Sequence, residues 1–175
     1  MLQQKERSRS LLELLEEGDE ETLQKTNRLQ EVLTHLRYEG KASLGKNLKE
    51  TDRLLEFFDK DLVEHVRLEE EIIFPYLASH IPKLGLLISL LRSEHTDFKR
   101  NLGEFKFWLG EMRKKKNGPS LGKMIEKVKE AGIYLAYLLQ SHVQEEGKIL
   151  YDIASRELSS EERRDLVRKV GRRRL

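Results

Sequence analysis

The chain has 175 residues, of which 33 are Lys or Arg and 31 are Asp or Glu, so its formal net charge is only +2. This length fits one domain with short extensions, and so small a net charge gives no reason to expect a nucleic-acid partner. The absence of cysteine excludes disulfides and thiolate metal sites. No apolar run approaches the roughly 18 residues of a membrane span, and the charged start lacks a signal-peptide core, so we expect a soluble cytoplasmic protein without a membrane partner.

The abundance of Leu, Glu, Lys and Arg, with only three prolines, predicts an all-α fold. Residues 1–17, which end in LLELLEE, predict a short helix of their own before Gly18. A longer helix then starts near residue 20 and carries Leu29, Leu33 and His35. Two turns compete for its end: KETD (49–52) predicts a turn near residue 50, and Gly45-Lys-Asn is the rival. We favour the turn near 50.

Two later loops are clear, SHIPK (79–83) and KKKNGPS (114–120), because Pro and Gly interrupt the helical pattern there. Between the loops, apolar residues recur every three or four positions, as on the seam of a helix packed in a bundle. Residues 159–170 predict a short last helix with Ser159 or Ser160 as its N-cap. The three predicted seams include, in order, His65-Glu69-Ile72-Tyr76, His95 and His142-Glu146-Ile149-Ile153.

The motif His-Val-x-x-Glu occurs twice, at His65 and at His142, and His35 is also followed by a Glu four residues later. On a solvated helix face such a pair is an ordinary ion pair that contributes a few tenths of a kcal/mol. On a core-facing seam each carboxylate loses its hydration at a cost of several kcal/mol unless something compensates. The motif therefore indicates that a charged species is held inside.

The histidine spacing supports one site. If the helices run up and down, His65 and His95 lie equally far from SHIPK, and His95 and His142 equally far from NGPS. A turn near residue 50 brings His35 to the same level, whereas His80 falls in a loop and is expected at the surface. Four imidazoles with two or three carboxylates suit two Fe, Mn or Zn ions that share bridging carboxylates. The Glu-x-x-His ferritin pattern and the HExxH protease motif are both absent.

These residues resemble the hemerythrin-like (HHE cation-binding) domains. The matching features are a lone helix-1 histidine, His35; His65-x-x-x-Glu69 followed by IIFPYL; Glu94-His95 on the third helix; and His142-x-x-x-Glu146. The resemblance covers roughly residues 20–157 and keeps the motifs in the family's order.

The resemblance implies an antiparallel up-down four-helix bundle at 20–157, with a helical extension at 1–19 and a C-terminal helix with a basic tail at 158–175. It implies two non-heme iron ions, with Mn or Zn as alternatives, and a small oxidant such as dioxygen, nitric oxide or peroxide to be bound or sensed. Glu69 and Glu146 would bridge the ions. The implied ligands are His35, His65, Glu69, His95, His142 and Glu146.

One departure concerns the third helix, where oxygen-carrying members have a second histidine one turn from the first. Here Leu91 and Lys99 occupy those positions. Glu39 or Glu70 would have to substitute, which favours sensing, iron handling or oxidation chemistry over reversible oxygen carriage. We assign no enzymatic activity beyond weak oxidase- or peroxidase-type chemistry. The alternative function is a helical interaction module with a structural metal, whose terminal helices contact a protein partner.

Overall fold

The computed structural model describes residues 11–38, 44–114 and 120–173, and all of its regular structure is helical. Within these ranges no helix is both long enough and apolar enough to cross a membrane. The predicted all-α class is therefore confirmed. The arrangement is a bundle in which successive long helical segments pack side by side.

The first two segments are α1 and a long composite helix. The composite helix alternates α-helical stretches with π-helical turns, in which each turn holds an extra residue. Its parts follow one another without a break. The bounds are Leu11–Tyr38 for α1, Leu44–Phe57 for α2, Phe58–Leu62 for the first π turn, Val63–Leu68 for α3, Glu69–Ile73 for the second π turn and Phe74–His80 for α4.

The second half has the same design. A 3₁₀ turn at Pro82–Leu84 leads into α5, so the helix break lies within the predicted SHIPK loop, although Ser79 and His80 still belong to α4. Helix α8 begins with a capping box, because the amide of Glu162 donates to Ser159 Oγ and the amide of Ser159 donates to Glu162 Oε2. The bounds are Gly85–Lys114 for α5, Ser120–Glu145 for α6, Glu146–Tyr151 for the third π turn, Asp152–Glu157 for α7 and Ser160–Arg173 for α8.

Two apolar clusters form the core. One joins α4, the start of α5, α7 and α8, with Leu77, Leu91 and Leu166 among its buried residues. The other joins α1, α2, α3, α6 and the rest of α5, with Leu33 and Phe105 at its centre. Buried carboxylates and imidazoles lie on the helices where the first cluster gives way to the second. The fold thus encloses a polar layer between two dry regions.

Two sequence predictions about the first helix are wrong. Gly18 does not end a separate helix, because residues 11–17 belong to α1 and Gly18 lies inside it. The predicted turn near residue 50 is also wrong, since α2 runs through it from Leu44 and buries Thr51 completely. Its rival at Gly45-Lys-Asn lies within α2 as well. The described helices are Leu11–Tyr38 and Leu44–Phe57, so residues of α1 face the rest of the bundle at another level than predicted.

The π turns correct the predicted seams. Each of the two His-x-x-x-Glu motifs ends where a π turn begins, at Glu69 and at Glu146. The additional residue in each turn rotates the following side chains around the helix axis. Ile149, predicted on the seam, is therefore 44% exposed, while its neighbour Leu150 is fully buried; in the first motif the buried residue is likewise Ile73 rather than Ile72.

Gly132 permits a close approach between helices. A Cβ atom at this position would lie 2.5 Å from Leu33 Cδ1 and 2.8 Å from Phe105 Cε2. Overpacking costs about 1–3 kcal/mol, more than the helix-propensity gain of Ala over Gly. We expect Gly132→Ala to lower the free energy of unfolding in urea, whereas Gly103→Ala, which meets nothing within 4 Å, raises it by up to about 1 kcal/mol. Equal stability of the two variants would contradict this packing.

Candidate metal centre

Three imidazoles and three carboxylates meet in the polar layer. They come from four helical segments, and Glu69 and Glu146 are completely buried while His95 is 1% exposed. The ligand atoms form two overlapping groups in which all atoms lie within 4.8 Å of one another. The six residues are Asp19, His65, Glu69, His95, His142 and Glu146.

The first group, which we call the imidazole-rich position, consists of His95, His142 and Glu69. The Nε2 atoms of the two histidines are 3.1 Å apart. His95 Nε2 also lies 3.2 Å from Glu69 Oε2, although that oxygen has no partner with hydrogen-bond geometry. Two imidazole nitrogens and one carboxylate oxygen are thus close enough together to bind the same cation.

Outer carboxylates orient both of these rings. His95 Nδ1 is 2.9 Å from Glu70 Oε1, and His142 Nδ1 is 2.7 Å from Glu94 Oε2. A carboxylate accepts a hydrogen bond from the ring, which places the proton of a neutral imidazole on Nδ1 and leaves a lone pair on Nε2. This carboxylate–histidine pairing is the arrangement that supports histidines as metal ligands.

The second group, the carboxylate-rich position, consists of Asp19, His65, Glu69 and Glu146. His65 Nε2 lies 2.7 Å from Glu69 Oε1 and 3.4 Å from Asp19 Oδ1. Glu69 belongs to both groups, with one oxygen toward His65 and the other toward His95. Glu146 adds a contact of 3.1 Å from its Oε2 to His142 Nε2. Glu69 is therefore placed to bridge two cations.

Several buried oxygens in this layer have no hydrogen-bond partner among the described residues: Asp19 Oδ2, Glu69 Oε2 and both side-chain oxygens of Glu146. Buried polar groups are almost always hydrogen-bonded, because an unsatisfied carboxylate oxygen costs several kcal/mol. Bound divalent cations would satisfy all four oxygens. The donor set, neutral imidazoles with carboxylates and no thiolate, fits Fe, Mn or Zn.

The charges in the layer lead to the same conclusion. Burial disfavours the protonated form of His65, but the charges of Glu69 and Asp19 outweigh it and hold the pKa of His65 well above its usual value. Burial also opposes ionisation of Glu69, yet its contacts with His65 and His95 hold its pKa well below the usual range. Burial and the charge of Glu69 raise the pKa of Glu146 to about 8. The charge of Glu69 thus opposes ionisation of Glu146, and a cation held between the two carboxyl groups would relieve that repulsion.

Tyr151 supports the shared carboxylate. Its hydroxyl donates to Glu69 Oε1 over 2.9 Å, and its side chain is completely buried. The phenol reaches Glu69 from the third π turn, so the turn that begins at Glu146 of the second motif also contacts Glu69 of the first. Of the other tyrosines described, Tyr134 and Tyr137 are exposed.

Two openings adjoin the layer. A narrow cavity of about 10 Å³ lies beside His95 and His142, with Val66, Phe98 and Leu139 in its wall. This volume corresponds to about one water-sized molecule. A wide surface groove of about 690 Å³ reaches His65 past Gly18 and is lined by acidic residues such as Glu21 and Glu64.

The structure brings together five of the seven residues proposed from the sequence: His65, Glu69, His95, His142 and Glu146. His35 is not brought to the layer. Its side chain is exposed, and it lies 16 residues beyond Asp19 on α1, about 24 Å along the helix axis. The misplaced turn near residue 50 caused this error. Glu39 lies outside the described residues, and Glu70 contacts His95 on its Nδ1 side.

Asp19 is the residue that sequence reasoning missed. It is 5% exposed and lies in α1 one turn before the buried Thr22, which is followed by Thr26 and Leu29 at helical spacing. This seam of buried residues continues the apolar face of α1 toward its N-terminal end. Because the sequence pattern predicted a helix break at Gly18, the seam was not extended to Asp19.

Comparison with known families matches residues 6–154 to the hemerythrin HHE cation-binding domain. A comparison with curated proteins finds no match. The family match covers most of the chain and spans all six residues of the polar layer. The chain therefore belongs to the hemerythrin HHE cation-binding family.

Proposed function

We propose that this protein holds two non-heme iron ions in the polar layer and uses them to bind or sense a small oxidant such as dioxygen, nitric oxide or peroxide. The observation that carries the proposal is the set of four buried carboxylate oxygens without hydrogen-bond partners among three converging imidazoles. In this proposal Asp19 takes the place expected for His35. An antiparallel arrangement of the four long segments at the centre is supported by the small number of residues that separate each segment from the next along the chain.

Each part of the layer has a task. The six ligands hold the ions, and Glu70 and Glu94 keep the Nε2 lone pairs of His95 and His142 directed inward. Iron held by these residues would supply electrons that a small oxidant can accept. The two apolar clusters keep bulk water away, and the cavity of about 10 Å³ beside His95 admits only a small molecule.

The test combines metal analysis with absorption spectroscopy of protein produced with added iron. We expect two iron ions per chain and charge-transfer absorption in the near ultraviolet that changes when dioxygen or nitric oxide is added to the reduced protein. His65→Ala/His142→Ala should lose both ions, whereas the exposed controls His35→Ala and His80→Ala should keep them. Full iron content in the double variant would refute the site.

Removing the metal should also lower thermal stability. Each ion that binds only the folded chain adds about 2.7 kcal/mol when the free ion is at 100 times its Kd. For a chain of this size, 1 kcal/mol corresponds to about 2–4 °C in Tm. We therefore expect calorimetry to show a fall of at least about 5–10 °C after chelation, restored by adding Fe²⁺ under anaerobic conditions.

An unchanged Tm after chelation would exclude stabilising cations in the layer. The alternative, an interaction module with a structural metal, predicts a different combination of results. Chelation would still lower Tm, but the bound metal would be zinc and the spectrum would not respond to dioxygen or nitric oxide.

A further inference from the structure

The two positions in the polar layer offer different donors. The imidazole-rich position has two imidazoles and one carboxylate, His95, His142 and Glu69, whereas the carboxylate-rich position has one imidazole and three carboxylates. The difference arises mainly from Asp19, since a histidine at residue 19 would give each position two imidazoles. Asp19 is thus the residue of this chain that makes the two positions unequal.

The geometry of the free donors reinforces this difference. At the imidazole-rich position Glu70 and Glu94 contact the Nδ1 atoms of the two rings, so their Nε2 atoms face inward. At the carboxylate-rich position the buried carboxyl groups of Asp19 and Glu146 supply oxygens without hydrogen-bond partners, although Glu146 Oε2 also lies 3.1 Å from His142 Nε2. One position therefore offers mostly nitrogen and the other mostly oxygen.

Divalent cations discriminate between such donors. Imidazole suits Zn²⁺ and Fe²⁺, whereas carboxylate oxygens suit harder ions such as Mn²⁺. From this we infer that the two positions differ in metal selectivity: when several divalent ions compete, the imidazole-rich position takes a borderline ion such as Fe²⁺ or Zn²⁺ and the carboxylate-rich position accepts Mn²⁺, whereas iron supplied alone fills both. The inference rests on the proposed two-cation site and specifies which ion each position takes.

Both positions bind Zn²⁺ more tightly than Mn²⁺ in absolute terms, as the Irving–Williams order requires. The difference between the two positions can therefore be measured when Zn²⁺ is limiting. The scarce Zn²⁺ then occupies the position at which its affinity exceeds that of Mn²⁺ by the larger factor. Metal-free protein should be given one equivalent of Zn²⁺ and an excess of Mn²⁺, and unbound ions removed by gel filtration. Metal analysis and electron paramagnetic resonance of Mn²⁺ then report the composition of each pair.

We expect one Zn²⁺ and one Mn²⁺ per chain, with the resonance of an isolated Mn²⁺ ion. Protein loaded with Mn²⁺ alone should instead show the signal of two coupled Mn²⁺ ions. If the two positions were equivalent, Zn²⁺ would distribute at random and the coupled signal would persist at its statistical share. That result would overturn the inference while leaving the two-cation site intact, whereas failure to bind any cation would refute the site itself.

A matched pair of variants assigns the effect to Asp19. Asp19→His should make both positions rich in imidazole and return the mixture of pairs to the statistical distribution. His35→Asp, which places a carboxylate at an exposed position of the same helix, should keep the mixed pair of the original chain. A mixed pair that survives in Asp19→His would show that Asp19 does not cause the selectivity.

Discussion

Replacing Glu69 by Gln is expected to remove both cations from the layer, because this carboxylate belongs to both groups of ligands. Gln has the same shape but no charge, and its amide nitrogen is a poor ligand. Two unit charges about 4 Å apart interact by about 4 kcal/mol at an effective dielectric constant of 20, which corresponds to about a thousandfold in affinity. The affinity for each of the two cations should therefore fall at least about a thousandfold when the charge of Glu69 is removed.

Two neighbouring carboxylates provide graded controls for Glu69→Gln. Glu70→Gln should weaken only the imidazole-rich position, by about 10–100-fold, because Glu70 acts through the Nδ1 atom of His95. Glu64→Gln, on the exposed face of α3, should leave both affinities unchanged. Calorimetric titration with Zn²⁺ measures all three variants. Two bound ions in Glu69→Gln at the affinity of the original chain would contradict the bridging role.

The candidate ligands with the clearest sequence signal are those of the repeated motif. A Glu one turn after a His on an apolar seam is costly unless a positive charge compensates it, so His65-Glu69 and His142-Glu146 could be predicted without coordinates. The prediction that His65, His95 and His142 share one level is confirmed by their contacts with Glu69 and with each other. The periodicity of the apolar residues and the positions of the predicted loops were sufficient to predict that these three histidines lie at one level.

The candidate ligand on the first helix, Asp19, was missed because its level depends on where the first connection lies. The midpoint between His35 and His65 is residue 50, which is inside α2. The midpoint between Asp19 and His65 is residue 42, which falls between the end of α1 at Tyr38 and the start of α2 at Leu44. The same spacing argument, centred on the interval between these two helices, therefore selects Asp19. Local turn preferences around residue 50 were too weak to place the connection.

The π turns had no comparable signal in the sequence. Steps of three and four residues continue through Ile72 and Ile149 as if the α-helix were uninterrupted. The turns form in the folded protein, where Glu69 and Glu146 reach the polar layer and Tyr151 bonds to Glu69. Such contacts between distant segments cannot be read from a local pattern, so the phenol beside the bridging carboxylate became apparent only in the structure.

Gly18→Ala is expected to empty the carboxylate-rich position while leaving the imidazole-rich position occupied. A Cβ atom at residue 18 would lie 2.5 Å from both Cε1 and Nδ1 of the His65 ring. The ring cannot simply move away, because its Nε2 contacts Glu69 and Asp19 in a buried layer. On steric grounds we expect Gly18→Ala to bind one ion per chain with the affinity of the original chain. The second ion should bind about 100-fold more weakly, which is the upper end of the range for changes in the surroundings of a metal ligand.

A double-mutant cycle separates this steric effect from a general change in α1. His65→Ala removes the ring, so adding Gly18→Ala to it should cause no further loss of metal affinity, and the coupling between the two changes should be large. Gly103→Ala, where an added methyl group meets nothing within 4 Å, should keep two ions. Additive effects of Gly18→Ala and His65→Ala would show that Gly18 acts by another route. In that case, the missing side chain at Gly18 would not be the reason that the acidic groove reaches His65.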